Sequence, residues 1–199
     1  MKDKIRLAIF ASGSGSNAEN IIRYFQKHPR IAVHSVLTNN EKAEVLNRVE
    51  KYDVNTKTFS RSDFYESDEI KSYLDWYDID YLILAGFLWK IPHNLLEYYP
   101  GHIINIHPAL LPKFGGKGMY GMNVHKAVLA AKEKETGITI HLVNEVYDEG
   151  EIISQITVPV NESDSEIEIE KKVRALEMDH YPQFLEAYIL KKEEEENQS

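Results

Sequence analysis

The sequence of 199 residues contains no cysteine, so disulfides and thiolate nucleophiles are excluded, and a metal site would have to draw on its eight histidines and its carboxylates. No apolar run approaches the roughly 20 residues that a membrane-spanning helix needs. The opening residues MKDKIRLAIFASG lead directly into a strand-like segment rather than through the charged, apolar and small-residue zones of a secretory signal. A cytoplasmic protein without membrane association is therefore expected. Positive charge is scarce: 23 Lys and Arg stand against 32 Asp and Glu, a net charge of −9 that disfavours a generic nucleic-acid surface. Part of the acidic surplus sits in the ending KKEEEENQS, expected to be a solvated, charged tail over 191–199. Internal repeats and Pro/Gly/Ser-rich linkers are also missing, which leaves one domain over residues 1–190 as the expected organisation.

What remains is ordinary globular material, 43% hydrophobic and 28% charged, arranged in a clear rhythm. Short β-rich apolar runs at 5–11, 31–37 and 54–59 alternate with helical patterns at 17–27 and 41–51, giving βαβαβ. A helix over 63–76, a strand at 81–85, a short helix opening at Pro92 and a strand at 103–106 continue it. Continuous apolar strands between amphipathic helices predict an α/β fold with a doubly wound, mostly parallel sheet and a Rossmann-like N-terminal half. Beyond a Pro- and Gly-rich stretch at 108–121 come a helix near 123–132 and strands near 138–143 and 151–158, suited to an antiparallel extension. A last helix at about 165–190 is expected to bend at Pro182.

Between the first strand and the first helix lies Ala11-Ser12-Gly13-Ser14-Gly15-Ser16-Asn17. Free backbone N–H groups and the positive end of a helix make such a turn an anion site, and Ser16 and Asn17 can donate to the ligand. The alternative is a tight strand-to-helix turn capped by serine. The pattern Gly13-x-Gly15-x-x-Ala18 nearly matches the dinucleotide fingerprint, but that site also needs an acidic residue closing the second strand. Here the strand ends in Thr38-Asn39-Asn40, which favours a monophosphate.

The run Ile104-Asn105-Ile106-His107-Pro108-Ala109-Leu110-Leu111-Pro112 places Asn105 and His107 on one face of a strand, at the C-terminal end where open α/β sheets form ligand crevices. An imidazole beside a carboxamide suits stabilisation of an oxyanion on a carbonyl under attack; a packed histidine and an asparagine turn are the alternative. Asp148, in Asp148-Glu149-Gly150, can hold an imidazolium and accept a proton from an amine. It can equally belong to a plain turn, and only convergence with His107 separates the two. Lys113 and Lys117 flank a Gly-rich loop, where they can meet a phosphate, although exposed lysines in such loops more often only solvate them; His125 and His141 fall in helix and strand patterns as packed or surface residues. No metal-ligand spacing occurs, and no metal is expected.

Taken in order, ASGSGSN, LAGFLWKIP, NIHPALLPKF and YDEGEII are similar to the phosphoribosylglycinamide formyltransferase family, a resemblance that runs from about Ile5 to the segment 177–182. It implies a formyltransferase-like fold, with a ribonucleotide-phosphate-binding N-terminal half and a folate-binding C-terminal half. It also implies transfer of the formyl group of 10-formyltetrahydrofolate, the cosubstrate, to the amine of glycinamide ribonucleotide in purine synthesis. Carried over, Gly15, Ser16 and Asn17 bind the phosphate, Glu177 lies near the glycinamide amine, and Asn105, His107 and Asp148 form the catalytic set. Arg61, Leu88, Trp89, Lys90 and Ile91, with Asn105 and the backbone of the Asp148 loop, are the implied folate contacts. The implied chemistry is direct attack of the amine on the formyl carbon, with His107 acting as an imidazolium whose pKa is raised by Asp148. Small molecules are the expected partners, of a monomer or homodimer.

Two features depart from the family pattern. Trp89-Lys90 stands where many members carry Arg after Ala-Gly-Phe, and the stretch 115–123 is longer than in the shorter bacterial forms. A formyltetrahydrofolate hydrolase with the same Asn, His and Asp, or a folate- or ribonucleotide-binding module without catalysis, are the rival readings. Such hydrolases carry an additional N-terminal domain, and here the first strand is expected already at Ile5.

Overall fold

The structure is a computed structural model that describes residues 4–198. Two compact units emerge, one comprising the chain up to Asn105 together with Leu142–Glu145, the other comprising Ile106–His141 together with the chain from Val146 onward. Among the described residues the strands run in the order β3-β2-β1-β4-β5-β6-β7.

The first unit is built on parallel pairing. β1 (Ile5–Phe10) lies between β2 (Ile31–Thr38) and β4 (Tyr81–Leu84), with β3 (Asn55–Thr58) beyond β2 and β5 (Ile103–His107) beyond β4. The strand order reverses between β1 and β4, which makes the end of β1 a topological switch point, where ligands of such sheets bind. α1 (Ser16–Phe25) follows directly and buries Ala18, Ile21, Ile22 and Phe25, the i, i+3, i+4, i+7 stripe of an amphipathic helix. β4 is buried at every position and reads as a continuous apolar run, as a parallel strand covered on both faces should. Phe10, Phe59, Phe64 and Phe87 pack ring to ring with Leu74, Leu82 and Leu95 in one core.

Two boundaries differ from expectation, each for a local reason. The helix expected over 63–76 is two helices, α3 (Arg61–Tyr65) and α4 (Glu69–Trp76). Ser60 and Asp63 form a capping box at the start of α3, while Ser67 donates its hydroxyl to the Asp63 carbonyl and accepts the Glu69 N–H, diverting backbone partners from the helix ladder. α2 (Glu44–Val49) starts late because the Asn40 side chain accepts the Lys42 N–H in a turn. α5 (His93–Tyr98) follows Pro92 as expected.

In the second unit, β6 (Glu135–Leu142) and β7 (Ile152–Pro159) pair antiparallel, and α6 (Met122–Ala130) packs on α7 (Glu166–Glu196). α7 opens on a Ser165/Glu168 capping box and is assigned as one helix through the buried Pro182. The tail expected at 191–199 is instead helical as far as Glu196, where Lys191–Glu195 and Lys192–Glu196 pairs at i, i+4 support the turns.

The segment leaving β5 is anchored by one buried hydroxyl. Thr139 on β6 donates to the Ala109 carbonyl at 2.7 Å and accepts the Leu111 N–H at 3.0 Å and the Gln155 amide at 2.9 Å. The Leu111–Pro112 peptide within this segment is cis. Thr139→Val keeps the side-chain shape but takes a hydrogen bond from the Ala109 carbonyl, the Leu111 N–H and the Gln155 amide, of which the last keeps its bond to the Leu111 carbonyl, and is expected to cost about 2–4 kcal/mol in urea denaturation.

Candidate active site

The glycine-rich turn at the switch point is shaped by its neighbours in the first unit. Gly15 has φ 73°, and a Cβ there would stand 2.3 Å from a Val45 methyl, so only glycine fits both the left-handed conformation and the space. Gly15 is itself the N-cap of α1, and no side chain caps that helix. The serine cap considered from the sequence is therefore not formed. Ser16 and Asn17 occupy the first two helical positions. Ser12 ties this turn to the segment after β4: its N–H donates to the Gly86 carbonyl and its hydroxyl accepts the Leu88 N–H, both at 3.0 Å.

That segment carries most of the remaining folate candidates. Leu88 and Lys90 are exposed, Trp89 is half-buried, and the Ile91 side chain is packed in the core. The Arg61 guanidinium lies over the rings of Tyr65, at 4.8 Å, and Trp89, at 5.7 Å, and Tyr65 donates its hydroxyl to the Lys90 carbonyl. Arg61, Trp89 and Lys90 thus share one surface of the first unit.

Asn105 and His107 lie two residues apart on β5 and share a face by strand alternation. In the second unit His107 is almost fully buried and has an acceptor at each ring nitrogen. Nε2 donates to the Phe114 carbonyl at 2.8 Å, and Nδ1 faces Asp148 Oδ2 at 3.5 Å. The convergence that spacing left open is therefore present. Asp148 adopts a left-handed conformation, φ 58°, accepts the Gly116 N–H at 2.8 Å, and presents its other oxygen to His141 Nε2 at 3.7 Å. Gly115 permits this approach, since a Cβ there would meet Leu111 at 2.6 Å and Asp148 at 3.1 Å.

Burial pulls the His107 pKa below its ordinary value, outweighing the opposing effects of Asp148 and the Phe114 carbonyl. This corrects the expectation of a raised pKa: the cost of charging an imidazole removed from water exceeds what one carboxylate at 3.5 Å returns. Burial pushes the Asp148 carboxyl up, but His141, His107 and the Gly116 N–H together hold it below the usual range, so it stays ionised.

His34, His107 and His125 all have pKa values drawn below 6.5 by burial. The unfolded chain binds more protons than the native one below that pH. Stability is therefore expected to be full above about pH 6.5 and to fall as the pH drops through it, visible as lower urea midpoints at about pH 5.5 than at about pH 7.5.

Sequence reasoning missed His141 as the second partner of Asp148. Its position on a strand, seven residues before Asp148, was the one available signal. His125 is packed on α6 as expected, with Nδ1 buried and without a hydrogen-bond partner. Lys113 is engaged by Glu133 at 2.8 Å. Glu177 is half-buried on α7, and its charge contributes to raising the pKa of the buried Tyr181 hydroxyl. Among the described residues no group of three or more His, Asp or Glu has the arrangement of a metal site, and no helix is long and apolar enough to cross a membrane.

The family described as formyl transferase matches residues 5–185. The phosphoribosylglycinamide formyltransferase of Bacillus subtilis is 32% identical over 190 residues, covering 92% of this chain and 94% of that protein. A chloroplastic phosphoribosylglycinamide formyltransferase from Arabidopsis thaliana is 38% identical over 180 residues, or 84% of this chain. The chain spans 60% of the length of that plant relative. Among solved structures, phosphoribosylglycinamide formyltransferase from Bacillus halodurans superposes with a TM-score of 0.80 at 36% identity, covering 93% of this chain and 94% of that one. Together with the glycine-rich turn at the switch point and the His107–Asp148 pair, these likenesses establish that the chain belongs to the formyl transferase family, among the phosphoribosylglycinamide formyltransferases.

Proposed function

We propose that this protein transfers the formyl group of 10-formyltetrahydrofolate to the primary amine of glycinamide ribonucleotide, as a cytoplasmic step of purine synthesis. The observation that carries the reading is the buried His107, paired with Asp148 at the C-terminal end of β5 in a member of this family. The placement in the cytoplasm follows the sequence expectation alone.

In this reading the backbone N–H groups of Gly15, Ser16 and Asn17, together with the Ser16 hydroxyl, hold the ribonucleotide phosphate, and Glu177 holds the glycinamide amine. Folate lies along Leu88, Trp89, Lys90 and the backbone of Ile91, with Asn105 and the Asp148 loop also in contact. The apolar surface of Leu88 and Trp89 suits a flat heterocycle, and the Arg61 guanidinium suits a carboxylate. As the amine adds to the formyl carbon, His107 Nε2–H and the Asn105 amide donate to the developing oxyanion. Nε2 is engaged by the Phe114 carbonyl, so turnover exchanges that bond for one to the oxyanion. A neutral imidazole can donate from one nitrogen only. Donation to both the oxyanion and Asp148 requires the imidazolium, which burial disfavours at rest and the new negative charge favours, so the stabilisation grows toward the transition state. Asp148 accepts the amine proton directly or through water and passes it to His107 Nδ1, which completes the imidazolium. Collapse of the tetrahedral adduct breaks the bond to the folate nitrogen, which takes that proton as it leaves.

The test is formyl transfer in vitro: purified protein with 10-formyltetrahydrofolate, with and without glycinamide ribonucleotide, following release of the deformylated folate. Release that depends on the amine and yields its formylated product supports the transferase. Release without the amine points to the hydrolase, and no release with ligand binding intact points to a binding module.

A further inference from the structure

The Gly13–Asn17 turn is braced by a charged cluster that the proposed reaction does not use. Two of its carbonyls are held from α2: the Val45 N–H donates to the Gly13 carbonyl at 3.1 Å, and Arg48 Nε donates to the Ser14 carbonyl at 2.8 Å. An anion site made of backbone N–H groups works only while neighbouring carbonyls point elsewhere, because a flipped peptide would turn an oxygen toward the phosphate. The rest of the Arg48 fork reaches two carboxylates, Glu19 through Nη1 at 3.1 Å and Glu44 through Nη2 at 2.9 Å.

Glu19 lies in the first turn of α1, whose N-terminus faces the turn, and an uncompensated carboxylate there would repel a phosphate. It is compensated three ways, by Lys51 at 2.7 Å, by Arg48, and by the Tyr52 hydroxyl at 3.0 Å. Lys51 and Arg48 are the main causes that hold its carboxyl down at about 2, against the opposing pull of burial. Two carboxylates and two cations leave the cluster neutral.

We infer that Arg48 is a positioning residue for phosphate binding: it fixes the Ser14 carbonyl away from the anion and cancels the charge of Glu19 without touching the substrate. This rests on the reading that Gly15, Ser16 and Asn17 hold the ribonucleotide phosphate.

Steady-state kinetics of Ser16→Ala, Arg48→Met, Arg48→Lys and the double variant Arg48→Met/Glu19→Gln test it. Arg48→Met is expected to raise KM for glycinamide ribonucleotide about tenfold or more, the scale of a lost charge-assisted hydrogen bond, with kcat and the folate KM nearly unchanged. Arg48→Lys is expected to fall between wild type and Arg48→Met. Removing the Glu19 charge in the double variant is expected to recover part of the lost affinity, which a merely structural role for Arg48 would not produce. If Ser16→Ala raises the ribonucleotide KM while Arg48→Met does not, the inference fails and the phosphate reading stands. If Ser16→Ala and Arg48→Met both leave it unchanged, both fail. A fall in kcat together with equal rises in both KM values, or no recovery in the double variant, also overturns the positioning role.

Discussion

Replacing His107 with alanine is expected to lower kcat about 10²–10³-fold, the loss measured when a single oxyanion donor is removed. The size of the effect follows from the site: His107 is almost fully buried, so water cannot readily replace the missing N–H, and Asp148 is left without one of its two imidazole neighbours. The ribonucleotide KM is expected to stay within about twofold, because the donated bond belongs to the transition state rather than to ground-state binding. Asp148→Asn provides the companion measurement. The carboxylate raises the His107 pKa against the pull of burial, so its neutral replacement is expected to lower that pKa further and to reduce kcat about 10–100-fold. An NMR titration of the His107 ring in both proteins checks the direction. An unchanged titration would remove Asp148 from the proposed role, and an alanine variant with near-normal kcat would remove His107.

Gly15→Ala should be the most damaging single change outside that pair. The left-handed conformation costs a non-glycine residue about 1–2 kcal/mol. Crowding adds about 1–3 kcal/mol more, since the new Cβ meets Val45 at 2.3 Å through its side chain and at 2.8 Å through its Cα, which cannot rotate aside. Relief of both requires the turn to change shape. A fall in thermal midpoint accompanied by a large rise in the ribonucleotide KM is therefore expected. A variant that loses stability but keeps its KM would show that the shape of this turn is not what binds the phosphate.

The alternation of strands and helices was legible because it is local. The 18/21/22/25 stripe of α1 and the all-apolar β4 state their own geometry through side-chain period, and the glycine-rich turn and Asn105-x-His107 could be placed at strand ends by the same reading. Boundaries were less legible where a short polar side chain competes with the backbone, as Ser67 does between α3 and α4 and Asn40 before α2. The charged ending read as a tail, yet its lysines and glutamates are spaced to pair along a helix that α7 already nucleates.

The sequence by itself determined the α/β class, the order of elements and the family resemblance, since these depend on periodicity and on contiguous motifs. Only the tertiary structure decided that Asp148 meets His107 across 40 intervening residues, and that His141 shares the same carboxylate. It also decided that burial overrides that carboxylate in setting the His107 pKa, and that Arg48 reaches back to Ser14. Each of these depends on distance and on exclusion of water between residues remote in the chain, quantities that local spacing does not encode.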